Sequence, residues 1–140
     1  MNQKPMITIT SEIYAPIETI WKLWNEPKDI QQWNNINDDW HNPVVENDSR
    51  PGGKFLYVMA MKDGSLSFNF TGIYDEVKEQ ELITYTLDSG RTATIQFSPG
   101  YPVTLTEIFE PADEPSVEEQ RDFCQAIHDS FKNYVESRKG

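Results

Sequence analysis

The chain opens with an alternation of apolar and polar residues. Within residues 5–14, Ile7, Ile9 and Ile13 share one face, and Thr8, Thr10, Glu12 and Tyr14 share the other. A period of two fits a strand with one buried side. Pro5 stands at its start, where a missing N–H costs no ladder bond. The period then changes: Ile17, Ile20, Trp21 and Trp24 follow Pro16 at the spacing of one helix face. Proline suits the first helical position, so a short amphipathic helix is predicted up to Glu26. Pro27 starts a second short helix carrying Ile30 and Trp33. The stretch 34–51 is polar and rich in Asn, Asp and Pro, with room for one short strand near Val44-Val45-Glu46.

From Gly52 onward the chain reads as strands and turns. Residues 54–61 are apolar and aromatic, and Asp63-Gly64 is a hairpin signal. Leu66, Phe68, Phe70 and Tyr74 recur at even spacing within 66–77, and Glu79-Gln80-Glu81 makes a polar turn. Strands follow at 82–87, 92–98 and 102–109, joined at Ser89-Gly90 and Pro99-Gly100. Links this short imply antiparallel neighbours, a meander. The pair Gly52-Gly53 precedes a strand where a bend calls for a positive φ or a missing side chain. The last element is a helix of about 20 residues, roughly 30 Å long, ending at Arg138. Ser116 and Glu119 have the spacing of a capping box, and Glu118, Glu119 and Asp122 suit the positive end of the helix dipole. Phe123, Ile127, Phe131, Tyr134 and Val135 form its apolar stripe. So long a one-sided helix needs a broad apolar surface, which the concave face of the meander supplies.

The 140 residues are the size of one domain, spanning 1–140, with no internal repeat. Against 12 Lys+Arg stand 23 Asp+Glu, a formal net charge of -11, which argues against nucleic acid and anionic membranes as partners. Cys124 is the sole cysteine, so neither a disulfide framework nor a cysteine-based zinc cluster is expected. No apolar signal region or run of membrane-spanning length is evident, and the expected location is the cytoplasm. Asn47-Asp48-Ser49 and Asn69-Phe70-Thr71 match the glycosylation pattern, which is without consequence in that compartment.

The order strand, two short helices, six-strand meander and long C-terminal helix resembles the START-like helix-grip (SRPBCC) superfamily. Several stretches sharpen the likeness. Ile13-Tyr14-Ala15-Pro16-Ile17-Glu18-Thr19-Ile20-Trp21 resembles the family's opening into its first helix, and Trp33 closes the second short helix as the family's tryptophan does. Arg50-Pro51-Gly52-Gly53-Lys54-Phe55 is similar to its R-x-G-G-x-[FY] segment. Asp63-Gly64, Gly72 with Tyr74-Asp75-Glu76-Val77, and Leu82-Ile83-Thr84-Tyr85-Thr86 follow in the family's order. The branch most resembled is that of homologues of the heat-shock protein 90 ATPase activator. The resemblance implies an α+β fold: a curved antiparallel sheet of six or seven strands around the C-terminal helix, enclosing an apolar cavity. The stretch from Asn34 to Asn42 departs most from the family pattern.

A curved sheet cannot touch a straight helix everywhere. The wall of the resulting void is expected to include Trp24, Trp33, Phe55, Tyr57, Met59, Phe68, Phe70, Phe97, Phe123, Ile127 and Phe131, aromatic and thioether surfaces suited to an adaptable apolar ligand. Glu107 shares the parity of Leu105 and Phe109. If that face is interior, its carboxylate needs a partner such as Arg91 or Tyr57 and can orient a polar ligand group or act as a general base; a twist turning it outward is the alternative. Cys124 and His128 lie four apart on one helix face, the geometry of an activated thiolate, but no orienting acid is evident and no catalytic residue is assigned. His41, His128 and Cys124 show no metal-ligand spacing, and no cofactor is expected. The expected function is non-enzymatic binding of a small hydrophobic or aromatic molecule. The alternatives are a chaperone-activator-like interaction module, with a chaperone as partner, and an enzyme of the cyclase or hydrolase kind.

Overall fold

The computed structural model describes residues 6–114 and 116–138, so Pro5 lies outside the described residues. The alternating segment forms β1 (Ile7–Ile13), whose inward positions Ile7, Ile9, Ser11 and Ile13 are all buried. Pro16 sets off α1 (Ile17–Asn25), and Pro27 is the first residue of α2 (Pro27–Trp33). The polar stretch holds two short strands instead of one, β2 (Trp40–His41) and β3 (Val45–Asn47). The meander comprises β4 (Lys54–Met61), β5 (Ser67–Lys78), β6 (Leu82–Leu87), β7 (Thr92–Ser98) and β8 (Val103–Phe109), and α3 (Val117–Arg138) closes the fold. Among the described residues no helix is long and apolar enough to cross a membrane.

All pairings are antiparallel. Among the described residues the sheet has 8 strands in the order β1-β8-β7-β6-β5-β4-β2, with β3 also on β4. Sequence reasoning expected six or seven strands. The additional one is β2, two residues that pair with Met61 and Ala60 and carry too little pattern to read from sequence. Two local devices shape the sheet. The ladder between β5 and β6 slips between Tyr74 and Glu76, and such a bulge bends and twists its strand. At the start of β4, Gly52 takes φ +82, and a Cβ on Gly53 would lie 2.0 Å from the Asp48 carbonyl oxygen. Both properties anticipated for the glycine pair are therefore used, one by each residue.

The interior is filled unevenly. At one end Trp24 stacks on Trp33 at 4.8 Å, and Phe131 meets both edge-on at 4.9 and 4.7 Å. Phe97 packs against Trp21 and Trp24 in the same cluster. The Trp33 indole N–H donates to the Leu23 carbonyl at 2.9 Å, locking α2 onto α1. Helix α3 runs closest to β1, α1 and α2, with Phe131 and Val135 fully buried there. Its N-terminal half, capped by Ser116 Oγ accepting from the Glu119 N–H at 3.1 Å, faces the curled strands with space between.

Candidate functional site

That space is a cavity of about 560 Å³, within the size range of small-molecule sites. Phe123, Cys124 and Ile127 of α3 form one wall, and Tyr57, Met59, Phe68, Phe70, Tyr85 and Phe109 from the strands form another. Trp24 and Trp33 close the deep end, and Trp40 and Leu66 stand at the hairpin side. Volume remains because the large rings that would fill it are engaged elsewhere: Phe131 by the two tryptophans, and Phe55 by an aromatic cluster of its own.

The pairing register accounts for the charged group in this apolar chamber. Glu107 lies opposite Ile9 on β1 and Ile95 on β7. Directly paired residues point to the same side of a sheet, and both isoleucines are buried on the inner face. Glu107 therefore points inward and is 12% exposed, lining the cavity. Its partner is neither Arg91 nor Tyr57. His128 Nε2 lies 2.7 Å from Glu107 Oε1, and the imidazole is completely buried. In the arrangement where Nε2–H donates, the carboxylate oxygen accepts. Ser11 Oγ stands 3.5 Å from the opposite ring nitrogen, and the Trp24 ring borders the imidazole at 5.9 Å. Arg91 instead donates to Ser89 Oγ and the Glu110 carbonyl.

Cys124, one turn before His128, also leans on Glu107. Burial first, and then the carboxylate's charge and hydrogen bond, push its thiol pKa up. A raised thiol pKa runs opposite to the lowered one that an activated nucleophile needs, so the Cys124–His128 spacing is not by itself the mark of one. Burial, then the neighbouring Tyr74 and Glu107, also raise the Tyr57 pKa; burial, Glu107 and Cys124 raise that of Tyr85. Both phenols stay protonated at neutral pH. The carboxylate, thiol and imidazole ligand atoms lie within 4.8 Å of one another, a donor set of the kind that holds zinc. Two ligands of one tetrahedral ion stand roughly 3.3 Å apart at ordinary bond lengths, farther than the 2.7 Å of the His128–Glu107 contact. As arranged, the carboxylate and the imidazole are joined by a hydrogen bond.

The expected wall residues divide into two groups. Trp24, Trp33, Tyr57, Met59, Phe68, Phe70, Glu107, Phe123 and Ile127 border the cavity. Phe97 and Phe131 do not, because they are consumed in the tryptophan cluster. Phe55 does not either: it lies across Gly72, its cross-strand partner, where an added Cβ would come within 2.8 Å of the ring. It bounds only a void of about 30 Å³ behind the main chamber. Sequence reasoning missed Tyr85 and Phe109, although each continues the inward parity of its strand, Ile83 to Tyr85 and Leu105 to Phe109. Trp40 gave no such signal, since the stretch around it has no period.

Several solved structures share this architecture. An AHSA1-like protein from Aeromonas hydrophila is 34% identical with a TM-score of 0.88, over 94% of this chain and 92% of that one. A protein from Cytophaga hutchinsonii is 44% identical with a TM-score of 0.82, over the same shares. One from Chromobacterium violaceum, 22% identical, has the same fold at a TM-score of 0.83, over 94% of this chain and 96% of that one. No functionally curated protein matches. The family model for Activator of Hsp90 ATPase homolog 1-like protein matches residues 14–136, from the end of β1 through nearly all of α3, and the chain belongs to that family.

Proposed function

We propose that the protein binds a small apolar or aromatic molecule in the chamber between α3 and the sheet and does not transform it. The observation that carries this reading is the volume left between the N-terminal half of α3 and the strands, about 560 Å³ walled by aromatic, aliphatic and thioether side chains. Burying some 300 Å² of a ligand's apolar surface contributes on the order of 7 kcal/mol, equivalent to a Kd of about 10 μM before association costs weaken it. The protonated state of the Cys124 thiol supports holding over nucleophilic chemistry.

A docking role of the chaperone-activator kind finds less support. Of the exposed large apolar side chains, Leu66 and Phe68 belong to the cavity wall and Tyr14 and Tyr101 form an edge-on pair, leaving Met6, Val44 and Ile73 as the other outward ones among the described residues. The test is a panel of apolar and aromatic compounds followed by tryptophan fluorescence and backbone amide shifts. Saturable shifts at Tyr85, Phe123 and Ile127 are expected. Shifts confined to outward positions such as Thr8, Thr10 and Glu12, or a response to a purified chaperone only, would overturn the reading.

A further inference from the structure

The cavity is apolar in area but lopsided in charge. Among the described residues, the charged side chains on its wall are Glu107, Glu110, Glu114 and Glu119 against Arg91. Arg91 is already held by Ser89 and the Glu110 carbonyl. The Glu110 carboxylate accepts from the Thr92 N–H and hydroxyl at 3.1 and 2.7 Å, and these bonds lower its pKa, so it stays ionised at neutral pH. Glu107 alone projects inward from the buried face of the sheet, between Ile9 and Ile95. A carboxylate offers about four acceptor sites. His128 uses one, and Glu107 lines the chamber with acceptor sites left for a ligand.

A ligand entering this space exchanges water for hydrocarbon walls, where hydrogen bonds and charges count for more than in solvent. A donor brought to Glu107 is satisfied. An anion finds an acceptor at the inner pole and further carboxylates along the wall, and its lost hydration is not replaced. Resting on the ligand-binding reading above, we infer that the cavity selects apolar molecules that carry a hydrogen-bond donor or a positive charge, protonated amines above all, and rejects carboxylates and phosphates. Glu107 is the anchor, and His128 and Ser11 position it from behind.

The probes are n-decylamine, n-decanol and n-decanoate at neutral pH. They share one hydrocarbon body and differ at the head, and their binding is read by calorimetry and by amide shifts at Glu107, Cys124 and Ile127. The amine is expected to bind about tenfold to a hundredfold more tightly than the carboxylate, the scale of one charge-assisted hydrogen bond, with the alcohol between them. Glu107→Gln should bring amine and carboxylate within about threefold of each other, and Glu107→Asp, which keeps the charge, should preserve the order. The comparison on the unaltered protein stands even if a variant folds poorly. Equal binding of all three, or tighter binding of decanoate, overturns the head-group preference and leaves apolar binding standing. An amine preference that survives in a folded Glu107→Gln protein overturns the role of Glu107. Failure of all three to bind removes the cavity reading and this inference together.

Discussion

The most direct test of the site's architecture is to remove the imidazole that holds Glu107. His128→Leu keeps the volume of a completely buried side chain but leaves a carboxylate, 12% exposed, without its 2.7 Å partner. Breaking a buried pair from one side costs about 3–5 kcal/mol. The cavity gives Glu107 some access to water, which places the expectation at the lower end, about 3 kcal/mol. For a domain this size that lowers Tm by roughly 9 °C and the urea midpoint by more than about 1 M. Glu107→Leu leaves only the imidazole unpaired and should cost about 1–2 kcal/mol. Replacing both by leucine removes the polar pair altogether, and the double variant should lose less than about 1 kcal/mol. Urea titrations of the four proteins close the cycle, with an expected coupling of about 3 kcal/mol. A His128→Leu cost below about 1 kcal/mol, or single costs that simply add, would refute the claim that these two groups depend on each other inside the fold.

Three further outcomes follow from the same geometry. Burial and Glu107 hold the Cys124 thiol protonated, so iodoacetamide at mildly alkaline pH should label it about a hundredfold more slowly than a free thiol, and Glu107→Gln should speed the reaction; labelling at the free rate would count against the arrangement. Ala93 is buried and lines the chamber, so Ala93→Leu should fill empty space, leaving thermal stability equal or higher while ligand affinity drops about tenfold; a destabilised variant that still binds would show the volume lies elsewhere. Burial pushes the Tyr74 phenol up from 10.0 to about 12. The folded state thus holds this proton more tightly than the unfolded chain, and the urea midpoint should stay flat below pH 10 as far as this group contributes, then fall toward pH 12. Tyr74→Phe should flatten that decline, and an unchanged decline in the variant would assign it to other groups.

Periodic elements were legible in the sequence, and aperiodic ones were not. The alternation of Ile7, Ile9 and Ile13 placed β1, and the stripe from Phe123 to Val135 placed α3, because each pattern reports a single buried face. The parity of Glu107 with Leu105 was enough to raise an inward carboxylate, but its partner was not legible. His128 is 21 residues away in sequence, on an element whose rotation over the sheet no local pattern encodes. By charge and polarity Arg91 and Tyr57 are the partners a sequence suggests, whereas the packing of α3 along β1 selects the histidine. Phe55, Phe97 and Phe131 show the same limit from the other side. Their apolar character put them in the interior, but only the three-dimensional register decides whether an interior ring meets another ring or a void. The Gly72 backbone under Phe55 and the two tryptophans around Phe131 make that decision.

The chamber and its carboxylate are better explained together than apart. An unfilled core costs stability, because its lining loses dispersion partners. A carboxylate on the inner face of a strand costs more, unless it is paired. A sequence selected only for a stable fold would place leucine or isoleucine at 107, between Ile9 and Ile95, and would let Phe55 and Phe131 occupy the space. This chain instead keeps the acid, commits a buried imidazole and a serine on β1 to hold it, and engages Phe55 and Phe131 with other rings. Departures from local consistency that are supported by dedicated partners are where function is expected. Here both departures, the empty volume and the inward charge, fall in one place, so selectivity between ligand classes is expected from Glu107 and not from the aromatic wall.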